Sequence, residues 1–178
     1  GLTPDGKEFA RDFGTRLAQA RPPRLFSSFF GRCIETAFLI DKGFTAAHGT
    51  ALDHNCTKDP LAPFYIKDIE KAIHQVEKIG SVAFLREWFD KKIDESVMEN
   101  PEATADRLCR YMADQLTQQP DGHISIHVSH DWNIFPIKEF KMDLPHETHG
   151  DVGYLDGLAF FEKHGKPHVI SYQCGPVE

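Results

Sequence analysis

Two segments of the sequence place side chains that could bind and cleave a phosphate ester directly after apolar strands. Ser28 ends one such strand and Arg32 comes shortly after it, while His130 and Asp131 follow the apolar stretch 124–128. A helix start and a guanidinium fork both suit phosphate oxygens. A histidine can neutralise a phosphoryl group, and a neighbouring acid can protonate a leaving group. Because ligands of α/β sheets gather at the carboxyl ends of strands, we predict one phosphate site.

Each of these residues also has a purely structural explanation. Arg32 could be a surface residue beside an N-capping serine, and His130 could be a core histidine with satisfied hydrogen bonds. Asp131 could simply cap a helix that begins at Trp132. Taken one at a time, the structural explanations are the simpler ones. An arginine, a histidine and a carboxylic acid at two strand ends together favour the phosphate site.

Hydrophobic periodicity predicts the elements that must position these residues. The predicted helices cover 4–20, 29–42, 68–79, 80–92, 101–118 and 132–140, with Gly43 as the C-cap of the second. The predicted strands cover 24–28 and 123–129, with a hairpin at 156–163 and 167–173 and long loops at 44–67 and 143–153. Strands separated by helices predict a three-layer α/β/α sandwich around a mainly parallel sheet. We expect one domain over 1–178, with 44–100 as a loop and helical cap inserted in it.

Composition limits the partners. The 178 residues are 40% hydrophobic and 26% charged, with a net charge of −7. This charge argues against a nucleic-acid surface, whereas a local cluster of Arg and His still suits a small phosphorylated substrate. No apolar run is long enough to span a membrane. We expect a soluble protein, with the cytoplasm favoured as its compartment and a signal peptide upstream of Gly1 left open. The four cysteines contain no CxxC pair, which argues against zinc, and Cys56 and Cys174 could form a disulfide. The oligomeric state stays open.

Three motifs in order along the chain carry a family resemblance. They are Leu2-Thr3-Pro4-Asp5-Gly6, then Ser27-Ser28-x-x-x-Arg32-Cys33-x-x-Thr36-Ala37, and then Ser129-His130-Asp131. This set resembles the histidine phosphatase superfamily, which has the phosphoglycerate mutase-like fold. The His-Asp pair is similar to that of the acid-phosphatase branch. The similarity extends from Leu2 to about Phe161.

The resemblance implies roles for individual residues. Arg32 and His130 would bind the phosphate, and Asp131 would protonate the leaving group. No cofactor and no metal would be required. Ser28, His146 and His149 are candidates for the pocket lining. The mutase branch places a glutamate acid in the loop after the arginine helix, and in this chain that loop has no glutamate at the comparable place.

The nucleophile of the family lies in an Arg-His-Gly motif on the first strand, and no such motif occurs in the 178 residues. We therefore expect the nucleophile upstream of Gly1, on a strand that lies between strands 24–28 and 123–129. With it, the protein would hydrolyse phosphomonoesters through a phosphohistidine. The alternatives are a pseudo-phosphatase that binds phosphorylated ligands without turnover, or a mutase-like phosphotransferase.

Overall fold

The computed structural model describes residues 1–120 and 122–175. The helices are α1 (Pro4–Thr15), α2 (Gly31–His48), α3 (Ile69–Ile79), α4 (Ser81–Phe89), α5 (Pro101–Thr117), α6 (Asp131–Met142) and α7 (His146–His149). The strands are β1 (Arg24–Ser27), β2 (Cys56–Thr57), β3 (Ser125–Val128), β4 (Gly157–Lys163) and β5 (Lys166–Tyr172). A single 3₁₀ turn covers Asp59–Leu61. The α/β fold that the sequence predicts is confirmed.

A three-stranded parallel sheet in the order β2-β1-β3 forms the centre of the fold. In its register Phe26 lies opposite His127, and Ser27 lies opposite Val128. Because β1 and β3 run in the same direction, their carboxyl ends share one edge of the sheet. The helices α2 and α6 both begin just beyond that edge. The fold therefore brings the two predicted halves of the phosphate site to the same side.

The expected strand between β1 and β3 is not there. The two strands pair directly over four residues each, from Arg24 opposite Ser125 to Ser27 opposite Val128. The prediction of a strand between these two was therefore wrong. It rested on the family resemblance, and the shared motifs do not specify which strands of this chain pair. Within the described residues, β3 has a strand neighbour on one side only, and β4 and β5 form a separate antiparallel hairpin.

The second helix is longer than predicted, because Gly43 is not its end. Gly43 is buried in the middle of α2, where an added Cβ would collide with the carbonyl oxygen of Arg11 in α1. The glycine thus allows close packing of the two helices rather than ending one. The helix ends instead at Gly49, whose φ of 71° lies in the left-handed region. The predicted loop 44–67 is correspondingly wrong at its start, and it also contains β2.

Two apolar clusters hold the sheet and the helices together. The smaller one lies between α1, α2 and β1 and includes Leu25, Ala37 and Ile40. The larger one includes the buried faces of α3 and α4. Its main members are Tyr65, Phe84, Leu85, Trp88, Phe89, Ile93, Met98 and Phe135. Whether 44–100 is an insertion stays a prediction.

Two further expectations concern cysteines and membranes. All four cysteines are free thiols, so Cys56 and Cys174 form no disulfide. Cys174 is buried, and its sulfur accepts a hydrogen bond from Arg16. In the described part of the chain, no helix is both long enough and apolar enough to cross a membrane.

Candidate phosphate-binding site

Arg32 and His130 meet at the shared carboxyl edge of β1 and β3. Arg32 is the second residue of α2, and its exposed side chain turns back toward the sheet. His130 is the N-cap residue of α6 and is only 6% exposed. The Nη2 atom of Arg32 lies 2.8 Å from Nδ1 of His130. Residues 98 positions apart in the sequence are thus in direct contact.

The hydrogen bonds define the tautomer of His130. An arginine can only donate, so Nδ1 of His130 must accept and Nε2 must carry the proton. That N–H donates to Oγ of Ser28 over 3.0 Å, and the same Oγ accepts from the Phe30 backbone N–H. Burial lowers the pKa of His130 to about 4, with a further lowering by the Arg32 charge and a smaller raising by Asp131. The imidazole is therefore neutral at pH 7.

Asp131 is the first residue of α6 and is exposed. One of its carboxylate oxygens accepts the Trp132 backbone N–H over 2.8 Å. The sequence allowed Asp131 to be the N-cap of a helix beginning at Trp132, but the N-cap is His130, which makes no side-chain capping bond. The carboxylate thus sits at the positive end of the helix, beside the imidazole and open to solvent.

A hydrogen-bond network at the carboxyl end of β3 joins Leu61, Ser129 and Asn133 next to the site. The amide nitrogen of Asn133 donates to the carbonyl of Leu61 and to Oγ of Ser129, at 3.0 and 2.8 Å. Oγ of Ser129 itself donates to the same carbonyl over 2.8 Å. The turn Asp59–Leu61 is thereby tied to the start of α6, which immobilises the backbone around His130.

Two neighbours of the site were not predicted from the sequence. The thiol of Cys33 lies 3.8 Å from Nε2 of His130, and burial raises the pKa of Cys33. The Tyr65 hydroxyl is buried and has no hydrogen-bond partner among the described residues. Burial, and secondarily the negative charge of Asp131, raise the pKa of Tyr65 well above its usual value. Cys33 belongs to the family motif, which could have suggested its proximity, whereas Tyr65 carries no sequence signal.

The candidate lining residues are divided between two places. Ser28 is part of the site. His146 instead donates to Asp151 over 2.9 Å, and His149 lines a cavity of about 340 Å³ beside the β4–β5 hairpin. Neither histidine hydrogen-bonds to the Arg32–His130 pair within the described residues. Their part in lining the mouth of the phosphate site stays a prediction.

The fold is thus that of an α/β protein, and an arginine and a neutral histidine at the carboxyl edge of its parallel sheet form a candidate phosphate site. The family model of the histidine phosphatase superfamily (branch 1) matches residues 1–134. The chain belongs to this superfamily, which supports phosphate hydrolysis as its general chemistry. The branch 1 model leaves the expected acid-phosphatase branch unconfirmed. A search of curated proteins found no match.

Solved structures with the same fold include two phosphatases. One is a mutant phosphoserine phosphatase from Entamoeba histolytica in complex with phosphoserine, with a TM-score of 0.62 and 14% identity over 97% of this chain and 84% of that one. The other is a mycobacterial glucosyl-3-phosphoglycerate phosphatase with inorganic phosphate, with a TM-score of 0.59 and 16% identity over 96% of this chain and 84% of that one. At such identities the likeness establishes the fold.

Proposed function

We propose that the protein hydrolyses small phosphomonoesters at the Arg32–His130 pair. The observation that carries this proposal is the 2.8 Å contact between the Arg32 guanidinium and a neutral, nearly buried imidazole at the shared strand edge. The phosphatases of the same fold bind phosphoserine and inorganic phosphate, which supports a phosphorylated small molecule as the ligand.

A phosphate at this place would meet several donors. Arg32 offers the planar fork that suits two oxygens, and the first turn of α2 offers backbone N–H groups at its positive end. The Ser28 hydroxyl oxygen accepts from the His130 Nε2–H and from the Phe30 backbone N–H, and its own proton is left to donate to the phosphate. Since Arg32 now uses one N–H on His130, binding would redirect that N–H toward a phosphate oxygen. Arg32 thus supplies a positive charge at this position although the net charge of the chain is −7.

We further propose a phosphohistidine intermediate, with a nucleophilic imidazole that is not among these 178 residues. His130 is poorly suited to attack, because its Nδ1 lone pair accepts from Arg32 and its Nε2 carries a proton. In the first step a P–N bond forms, the P–O bond to the alcohol breaks, and Asp131 gives its proton to the departing oxygen. In the second step water breaks the P–N bond, and Asp131 takes a proton from that water.

Hydrolysis is favoured over transfer between two hydroxyls of one substrate by the exposure of the site. Arg32 and Asp131 are both exposed, so water reaches the phosphoryl group. A mutase would need to exclude that water. The mutase-like alternative therefore has less support than hydrolysis.

A phosphate-binding protein without turnover is the second candidate function. It is favoured by one observation: none of the other described histidines hydrogen-bonds to Arg32 or Ser28. Such a protein would bind phosphate through the same pair and would form no covalent intermediate.

The two candidates differ in a trapping experiment. A form of the protein that includes the proposed nucleophile is mixed with a ³²P-labelled aryl phosphate, quenched in alkali and assayed for acid-labile label, while phosphate release is followed in parallel. Hydrolysis predicts both signals, and Arg32→Ala should reduce both. Vanadate binding that depends on Arg32, without label or release, would select the non-catalytic candidate. No binding of vanadate, phosphate or substrate would refute both.

A further inference from the structure

We propose that an exposed apolar surface of α2 holds the alcohol part of the substrate, so that the preferred substrates are phosphomonoesters of aromatic or extended apolar alcohols. This surface, the α2 apolar face, consists of Phe29, Phe30, Ile34 and Phe38. The inference rests on the proposed function, because it needs the phosphate to sit at Arg32 and His130.

The face begins inside the candidate site. The Phe30 ring packs edge-on against the His130 imidazole, with ring centroids 4.9 Å apart. The Arg32 guanidinium carbon lies 5.6 Å from the centre of the same ring. Phe30 is thus one wall of the anion site, and a group attached to a phosphate there can lie against this ring.

From that wall the apolar surface continues outward. Phe29 stacks on Phe30 with ring centroids 5.2 Å apart. Positions 30, 34 and 38 are spaced four residues apart and share one side of α2. The exposed fractions are 55% for Phe29, 36% for Phe30, 40% for Ile34 and 53% for Phe38. Exposed apolar side chains that cluster in this way mark a binding surface more often than apolar side chains scattered singly do.

The opposite side of α2 is already used for the core. Ala37, Ile40 and Phe44 are fully or almost fully buried. The α2 apolar face is therefore separate from the side of the helix that packs in the core, and it is a second apolar side of the same helix. At 1.5 Å per residue, the rise from Phe30 to Phe38 is about 12 Å, which is enough for a fused ring system or a medium alkyl chain.

The chemistry of the face selects against polyhydroxylated alcohols. Its four side chains carry no hydrogen-bonding group. Sugar hydroxyls that lie against it would therefore lose hydrogen bonds to water without gaining any to the protein. An aromatic ring would instead stack on Phe29 and bury apolar area on both partners. Beyond Phe38, the Lys42 ammonium lies 5.1 Å from that ring, so the apolar surface is bounded by a cation at each end.

The test compares two non-hydrolysable ligands by calorimetry on the unmodified chain. Methylphosphonate reports the anion site alone, and 2-naphthylmethylphosphonate adds an aromatic group. We expect the aromatic ligand to bind at least about tenfold more tightly. Phe29→Ala should reduce this ratio to near one. Phe161→Ala is the matched control, since Phe161 is an exposed phenylalanine on the hairpin, and it should leave the ratio unchanged.

The remaining outcomes separate the inference from the proposed function. Equal affinity for both ligands, with binding that still depends on Arg32, overturns the inference and leaves the phosphate site intact. Failure of both ligands to bind overturns both. A ratio near one, together with self-association that Phe29→Ala abolishes, would assign the face to a second copy of the chain and also overturn the inference.

Discussion

His127 and His130 lie three residues apart at the middle and the exit of one strand, and they show how differently the two regions are built. Burial lowers the pKa of each to about 4. His127 stacks on Phe26 with ring centroids 4.8 Å apart, and its buried Nε2 has no hydrogen-bond partner in the part of the chain that the structure describes. His130 has both ring nitrogens engaged, by Arg32 and Ser28. Burial alone therefore does not mark a site.

The difference lies in what surrounds each imidazole. Around His127 the partners are the Phe26 ring and the Tyr111 hydroxyl, 3.4 Å from Nδ1, so the residue behaves as an aromatic core side chain. The partners of His130 are the Arg32 guanidinium and the Ser28 hydroxyl. They lie at the end of the strand, where Arg32 is exposed to solvent. The same neutral charge state thus accompanies packing at His127 and the proposed anion site at His130.

The largest loss of activity is expected from substitution of Asp131. This carboxylate adjoins His130, and His127 has no comparable neighbour. In a form of the protein that turns over phosphate esters, Asp131→Asn should slow alkyl phosphates by about 10²–10⁴-fold, the range for general acid catalysis. Aryl phosphates should lose much less, because their leaving groups scarcely need a proton. Steady-state kinetics on the two substrate classes measures the split. Equal losses on both classes would make Asp131 a structural residue of α6.

The next largest effect separates Arg32 from other arginines. Arg32→Ala should weaken vanadate or phosphate binding by about 1.5–3 kcal/mol, as expected for a hydrogen bond to a charged group. Arg110→Ala removes an exposed arginine from α5 and should leave the affinity unchanged. Calorimetric titration of both variants measures this. Similar losses in both would show that only net charge, and no specific site, attracts the anion.

A smaller effect concerns pH. Both histidines have a folded pKa near 4 and an unfolded value near 6.5, so the unfolded chain takes up protons first as the pH falls. The contribution of these two neutral histidines to the free energy of unfolding should be complete above pH 6.5. It should decrease toward pH 4, by at most about 1.4 kcal/mol per pH unit for each histidine. His127→Phe keeps the stacking and should flatten this slope. Urea unfolding at several pH values measures it, and an unchanged slope would contradict the buried neutral state of His127.

The smallest effect is expected at Tyr111. Tyr111→Phe removes the long hydrogen bond to His127 and should lower the free energy of unfolding by about 0.5–1 kcal/mol. Anion affinity should not change, because Tyr111 serves the packing region of β3. A change in vanadate affinity in this variant would show that the two regions are coupled.

The sequence predicted much of the framework because its signals are local. The strand ends at Ser28 and His130 and the helices behind them follow from hydrophobic periodicity, and the ordered motifs indicated the family. Gly43 was misassigned because a glycine that permits close helix packing looks the same in sequence as one that ends a helix. The direct pairing of β1 with β3 was missed because strand neighbours are set by contacts between distant segments. The Tyr65 hydroxyl was missed for the same reason.

The most direct test of the account is an NMR titration of ¹⁵N-histidine-labelled protein with vanadate at pH 7. The account predicts that the signals of the His130 ring nitrogens shift and saturate, and that those of His127 do not move. Arg32→Ala should move the His130 response to at least about tenfold higher vanadate concentration. Unchanged His130 signals at millimolar vanadate, or a response confined to His127, would contradict the assignment of the Arg32–His130 pair as the phosphate site.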